Sequence, residues 1–320
     1  MHALWSNYIS SNTPDFSDSF DAEANNNLVL LPKFGVLQLH GEKTADFLQG
    51  YLTCNTAKLS SSRALFGAMC DIKGRVIANF YLLEIQGVPS FVVRTSVMEH
   101  VKSHLERYLV FSKCQLRNVS DEFVILGRIR AARQTPLANQ LQVAGLPGKI
   151  ELEVDDRRQL LLCTPETAIE LWSAADVHLN DRAWELADLR AGIIMIGSDF
   201  TGQHLPQSLN MTGENGSVDF NKGCYLGQEI IARVEHRGSL KRRLSLFSWT
   251  TAVEGPPVTG EDIINSEGKT CGQVAHTVEI VPGEGLLLGV VRLQDNSLIS
   301  DAFKTATATL GFLNHAQELT

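Results

Sequence analysis

Near residue 240 the sequence changes character, and the change divides the chain. Upstream, strand-like runs alternate with stretches of helical spacing. "LVLLP" and "GVLQLHG" lead into "ADFLQGYL", where Phe47, Leu48, Tyr51 and Leu52 fall on one face behind a capping Thr44. "RALFGAMCDIKGRVIANFYLLEI" reads as a hairpin, with turn chemistry supplied by Asp71 and Gly74. "VMEHVKSHLERYLVF" repeats the helical period, and "EFVILG", "RQLLLC" and "TPETAIELWSAA" form a second strand and helix series. Downstream, "LSLFSW", "GEDIIN" and "CGQVAHTVEIVPGEGLLLGVVRL" are short apolar runs punctuated by glycine, with no helical period. The pattern predicts an α+β fold: ferredoxin-like α+β modules in two intertwined domains over 28–240, and a separate C-terminal β-barrel over 241–320. Residues 1–27 read as a loosely ordered N-terminus. A length of 320 residues fits about two or three domains.

The formal charge of −8 argues against a broad nucleic-acid-coating surface, because neutralising phosphates takes clustered Lys and Arg. Direct nucleic-acid binding is therefore not expected beyond a local contact. Six scattered cysteines, at 54, 70, 114, 163, 224 and 271, include no C-x-x-C pair and no spacing suited to a structural zinc, so no metal site is expected. Such thiols suit a reducing compartment. The first residues lack a basic segment followed by an apolar one, and no stretch approaches the ~18 apolar residues of a membrane span. The expected location is the cytoplasm, without membrane contact.

Several constellations carry chemistry. In "NKGCYLGQEIIARVEHRG", Cys224 stands between glycines ahead of an amphipathic helix that the spacing starts near Leu226, with Glu229 and Arg233 paired at i,i+4. A helix N-terminus and the neighbouring Lys222 would favour a thiolate there, whereas a small residue packed in a glycine turn is the alternative that spacing leaves open. Arg233, Arg237, Lys241, Arg242 and Arg243 against Glu235 give a formal +4 in eleven residues, either an anion-binding strip or a solvated domain junction. Asp71, Lys73 and Arg75 at the hairpin tip could reach a cleft, although turn chemistry also explains Asp71. Phe34 and Trp184 could stack on a heteroaromatic ring or fill a core. The polar, glycine-rich stretch ending at Gly216 reads as a binding loop. Walker, G-x-G-x-x-G, G-x-S-x-G and H-E-x-x-H patterns are absent.

The pattern K-G-C-Y-x-G-Q-E, met by Lys222, Gly223, Cys224, Tyr225, Gly227, Gln228 and Glu229, resembles the signature of the YgfZ family of folate-binding proteins. "LQLHGEKTADFLQGYLT", "CDIKGRV", "YLVFSK" and "HLPQSLN" resemble the family's other segments, so the likeness covers roughly residues 28–245. The resemblance implies the three-domain architecture of the glycine-cleavage aminomethyltransferase (T-protein), arranged around a central channel. It implies tetrahydrofolate or a one-carbon derivative as cofactor, held by Phe34 and Trp184. Phe34 stands where the family has tryptophan. Asp71, Lys73, Arg75, Lys222, Tyr225, Gln228, Glu229 and Arg233 become further candidate contacts, and Cys224 the functional thiol. The implied role is synthesis or repair of iron–sulfur clusters, with iron–sulfur enzymes as partners, among them radical tRNA-methylthiolating enzymes, and tRNA modification as the readout. Folate-dependent aminomethyl transfer is the alternative. Against it, Ala78 and Asn79 occupy the positions of the transferases' acidic pair, which leaves no carboxylate there to handle a proton.

Overall fold

The computed structural model describes residues 2–12, 27–131, 141–212, 217–238, 240–251, 255–294, 297–298 and 302–315. Helix α1 (Ala3–Ser11) comes first, then strands β1 (Asn27–Leu30) and β2 (Phe34–His40), α2 (Thr44–Tyr51), β3 (Leu65–Cys70), β4 (Val76–Ile85), β5 (Val88–Arg94) and α3 (Met98–Ser112). The chain continues through β6 (Gln115–Asn118), β7 (Val124–Ile129), β8 (Val143–Leu146), β9 (Lys149–Glu153), β10 (Arg158–Cys163), α4 (Pro165–Ser173), β11 (Val177–Leu179), α5 (Asp181–Arg190) and α6 (Gln228–Arg237). The last part is all strand: β12 (Arg242–Thr250), β13 (Asp262–Asn265), β14 (Thr270–Val281), β15 (Glu284–Gln294), β16 (Ser297–Leu298), β17 (Phe303–Lys304) and β18 (Thr309–His315).

Three sheets result. An antiparallel sheet in the order β3-β4-β5-β2-β6 faces a second sheet in the order β11-β1-β7-β10-β9-β8. Strands β1 and β2 are consecutive in sequence but lie in different sheets, so the chain crosses between the two sheets at once. Strand periodicity sorts the apolar residues. On β4, Phe80 and Leu82 join the core that takes Phe47, Leu48, Val101 and Leu105 from α2 and α3, while Tyr81 and Leu83 face the second sheet. Between the sheets lie Val29, Phe34, Val36, Val92, Ile125, Leu160 and Trp184. In the third unit β12 pairs with both β18 and β15, closing a six-stranded barrel around Phe247, Trp249, Ile263, Val274 and Leu287. A closed barrel leaves no open edge among its six strands. Its outer residues Leu244, Leu246, Val278 and Leu288 complete the first core.

Three expectations need correction. Residues 3–11 are helical rather than loose, because Trp5 is fully buried against Trp172 and forms a small core with Leu28 and Leu161. Thr44 is the first residue of α2 rather than its cap, and its hydroxyl donates to the Gly41 carbonyl. Helix α6 starts at Gln228, two residues later than the spacing suggests, because Gly227 takes φ +83°, outside the helical region.

Candidate functional site

Three motifs far apart in sequence converge on the 222–229 loop. The hairpin tip is an Asp turn in which the Asp71 carboxylate accepts from the amides of Lys73 and Arg75 at 2.8 and 2.9 Å. Gly74 packs on Gly227, where an added Cβ would stand 2.5 Å from the Asp71 carbonyl oxygen. The 204–207 segment lies beside them: the Val76 amide donates to the His204 carbonyl, and Gln207 Nε2 donates to the Ile231 carbonyl at 2.8 Å. On the other side the Leu226 amide donates to the Gly50 carbonyl at the end of α2. The backbone of the loop is thus fixed by contacts to the hairpin and to α2.

Within this frame Cys224 is exposed, Cys114 half-buried, and the other four thiols buried. Burial pushes Cys54 and Cys163 each up to about 12 and raises Cys70 as well, so these remain inert thiols. A side chain added at Gly223 would meet nothing within 4 Å, which leaves approach to the neighbouring thiol open. Lys222 turns the other way. Its ammonium is buried and donates to the carbonyls of Leu52 and Cys54 at 2.6 and 2.8 Å, and it stands 5.2 Å from the centre of the Tyr225 ring. Burial lowers its pKa to about 8. Lys222 and the buried Tyr225 therefore pin the loop, and the ammonium that the sequence offers as a thiolate partner is spent on the Leu52 and Cys54 carbonyls. Gln228 accepts from the Tyr225 amide through Oε1, whereas Glu229 and Arg233 pair with each other at 2.6 Å in solvent, as their spacing predicts. Ile72 and Lys73 are exposed beside this loop, and Arg75 reaches the Gly202 carbonyl at 3.4 Å.

The two aromatics lie elsewhere, between the sheets. Trp184 is 1% exposed, with its ring against Gly127 and the Arg158 guanidinium 5.4 Å from the ring centre. Arg158 is itself sealed, bound to Asp155 and Asp188, and burial pushes the Asp188 carboxyl up to about 6 against the pull of that arginine. Phe34 is buried too, with Arg94 5.9 Å from its ring centre. The structure thus places both rings in the core, each carrying a cation, and does not join them to the Cys224 loop.

Two features are invisible in the sequence pattern. Glu185, buried on α5, accepts from Lys33 at 2.9 Å and Arg94 at 3.3 Å, with His276 of the barrel at 3.7 Å, so all three units meet at one carboxylate. Burial lowers the pKa of His276 and keeps it neutral at pH 7. Asn79, also buried, donates to the Ile194 carbonyl at 2.7 Å and accepts from the Ile196 amide at 2.8 Å. A carboxylate has no proton to offer that carbonyl, so the amide is built into the strand's contact with 194–196. Two cavities flank these parts, one of about 410 Å³ along α5 and one of about 200 Å³ between Gln207 and Arg243. Residues 213–216, the end of the predicted binding loop, lie outside the described residues. Among the described residues no group of three His, Cys, Asp or Glu side chains is arranged to hold a metal, and no helix is long and apolar enough to cross a membrane.

No family model matches the chain. Individual relatives do. The chain is 30% identical over 291 residues to the tRNA-modifying protein YgfZ of Sodalis glossinidius, covering 86% of this chain and 87% of that protein. It is 32% identical over 251 residues to the protein of the same description from Photobacterium profundum, with 75% of each covered. A third, from Klebsiella pneumoniae, is 30% identical over 285 residues. Among solved structures, the glycine cleavage system aminomethyltransferase T of Bartonella henselae superposes with a TM-score of 0.68, covering 91% of this chain and 86% of that one at 15% identity. At that identity the likeness concerns the fold.

Proposed function

The chain belongs to the YgfZ family of tRNA-modifying proteins, and from that premise we propose that it supports tRNA modification by binding a reduced folate and presenting Cys224 to the enzymes that need iron–sulfur clusters. The observation that carries this reading is the contrast among the six thiols: one is exposed on a braced loop, and the other five are buried or half-buried. A loop whose Lys222, Tyr225 and Gly227 brace the backbone, while its cysteine stays exposed, serves to present that cysteine.

The chemistry open to such a thiol is that of a single soft ligand or nucleophile. Iron–sulfur clusters take about four protein ligands, so Cys224 contacts a cluster, or a sulfur species, whose remaining ligands belong to a client enzyme. Clients, radical tRNA-methylthiolating enzymes among them, bind transiently and come up to the open side of Gly223. Tetrahydrofolate or a one-carbon derivative is the cofactor, in keeping with the aminomethyltransferase-like fold. Six free thiols suit the reducing cytoplasm. Aminomethyl transfer is the weaker reading, because Asn79 is committed to Ile194 and Ile196 and Ala78 offers no proton.

The test is complementation. In cells lacking the gene, Cys224→Ser should accumulate as folded protein, bind folate like wild type, and fail to restore the 2-methylthio content of tRNA. Full restoration by the serine variant removes the thiol from the function.

A further inference from the structure

We propose that the cavity between the end of α6 and the start of β12 is a binding site for a free α-amino acid with a short side chain. The inference stands apart from the folate reading and from the role of Cys224. The cavity, about 200 Å³, is walled by the Pro206–Leu209 turn, by the last turn of α6 and the residues after it, and by Arg243 near the head of β12. Drug-sized sites run to roughly 300–1,000 Å³, so its occupant is small.

Charge decides the class of ligand. Glu235 of α6 and Arg243 of β12 line the same cavity, yet among the described residues neither has an ion-pair partner, each other included. Two opposite charges held apart around one space match a molecule that carries both. A guanidinium takes a carboxylate through parallel N–H donors, and the Glu235 carboxylate, an acceptor only, takes an ammonium. A lone anion would meet repulsion from Glu235, and a lone cation repulsion from Arg243.

Gln207 sharpens the assignment. It is 7% exposed, and its Nε2 donates to the Ile231 carbonyl at 2.8 Å, with Glu235 Oε2 at 3.4 Å. Two acceptors around the nitrogen fix the orientation of the amide, which leaves its Oε1 buried without a donor. The Arg243 Nε–H is likewise buried without an acceptor. A buried polar group left unmatched costs about 1–3 kcal/mol, so this wall of the cavity lacks one donor and one acceptor. An amino acid brings both: an ammonium to bridge Glu235 and Gln207, and a carboxylate to face Arg243. Thr212 adds a hydroxyl, whereas Val234 and Leu240 offer a small apolar surface, which suits a short side chain.

Thermal-shift screening of the full chain against the common L-amino acids, followed by calorimetry, tests this, with acetate and ethylammonium as the two halves of the ligand. Wild type should bind at least one short-chain amino acid, such as L-serine or L-alanine, with a Kd below about 1 mM, and each half at least tenfold more weakly. Glu235 is exposed, so Glu235→Gln should keep the wild-type thermal transition, lose tenfold or more in amino-acid affinity, and hold or improve acetate binding. Arg243→Gln should lose both ligands. Three results overturn the inference: no short-chain amino acid bound by wild type at about 10 mM, acetate held as tightly as the amino acid, which leaves an anion site only, or wild-type affinity in Glu235→Gln.

Discussion

Replacing Trp184 by alanine separates a core residue from a ligand platform. The ring is 1% exposed, lies against Gly127 of β7, and carries the buried Arg158 guanidinium. Removing a tryptophan from a packed interior costs about 3–5 kcal/mol. The loss also strips Arg158 of a cation–π contact worth up to roughly 2 kcal/mol where desolvated, which keeps the total toward the upper part of that range. For a cooperative unit of 150–250 residues each kcal/mol lowers Tm by about 2–4 °C, so the expected fall is on the order of 6–20 °C. Near-ultraviolet circular dichroism during heating measures it, and titration with 5-formyltetrahydrofolate at 10 °C, where the variant remains folded, measures binding. A large fall in Tm with affinity held within a few-fold of wild type is the expected pair of results. The opposite pair, an unchanged Tm with binding abolished, would refute the argument, because only a ring with an open face can be lost without disturbing the core.

Two further predictions concern the convergence around the signature loop. His204 is 5% exposed, and burial, with Arg242 and Arg75 nearby, lowers its pKa to about 4; the unfolded chain takes up its proton near pH 6.5, so between pH 6.5 and 4 the unfolded state binds more protons and stability falls as pH falls, by roughly 3 kcal/mol for this group. Urea titrations across that window should show a shallower acid loss in His204→Asn than in wild type, and parallel curves would contradict the assignment. Gly227→Ala, which forces a side chain at φ +83° toward the Asp71 carbonyl, should destabilise by about 1–3 kcal/mol and slow or scatter alkylation of Cys224; a variant as stable as wild type with unchanged labelling would show that the hairpin does not hold the loop.

Legibility in the sequence followed the range of the interaction. The hairpin about Asp71 and the Glu229–Arg233 pair are set by residues a few positions apart, and each stands in the structure where turn chemistry or helical spacing puts it. The hydrogen bonds of Lys222 go to the carbonyls of Leu52 and Cys54, about 170 positions away in sequence, and adjacency to Cys224 does not disclose them. Trp184 and Phe34 could be core or platform on type alone; their burial, with an arginine near each ring, comes from the assembly of the sheets. Glu185 illustrates the limit. An acidic residue on a helix is ordinary in sequence, and its role as the meeting point of Lys33, Arg94 and His276 arises only when three units assemble. The helix at 3–11 was missed because a single tryptophan, buried against a distant one, outweighs the polar run that follows it.

The likeness to an aminomethyltransferase is a likeness of fold. General acid–base work needs a group that can gain and lose a proton near neutrality, and Asn79, which the resemblance sets at the transferases' acidic pair, is an amide whose donor and acceptor are both spent on the backbone at 194–196. Restoring a carboxylate there would place a charge against the Ile194 carbonyl, so the strand contact and a catalytic acid at that position exclude one another. The signature loop is held from outside its thiol: the Leu226 amide donates to the Gly50 carbonyl, Gly227 packs on Gly74, and Cys224 stays exposed. Such a division, a braced loop backbone and an exposed thiol, is what the role proposed for Cys224 requires.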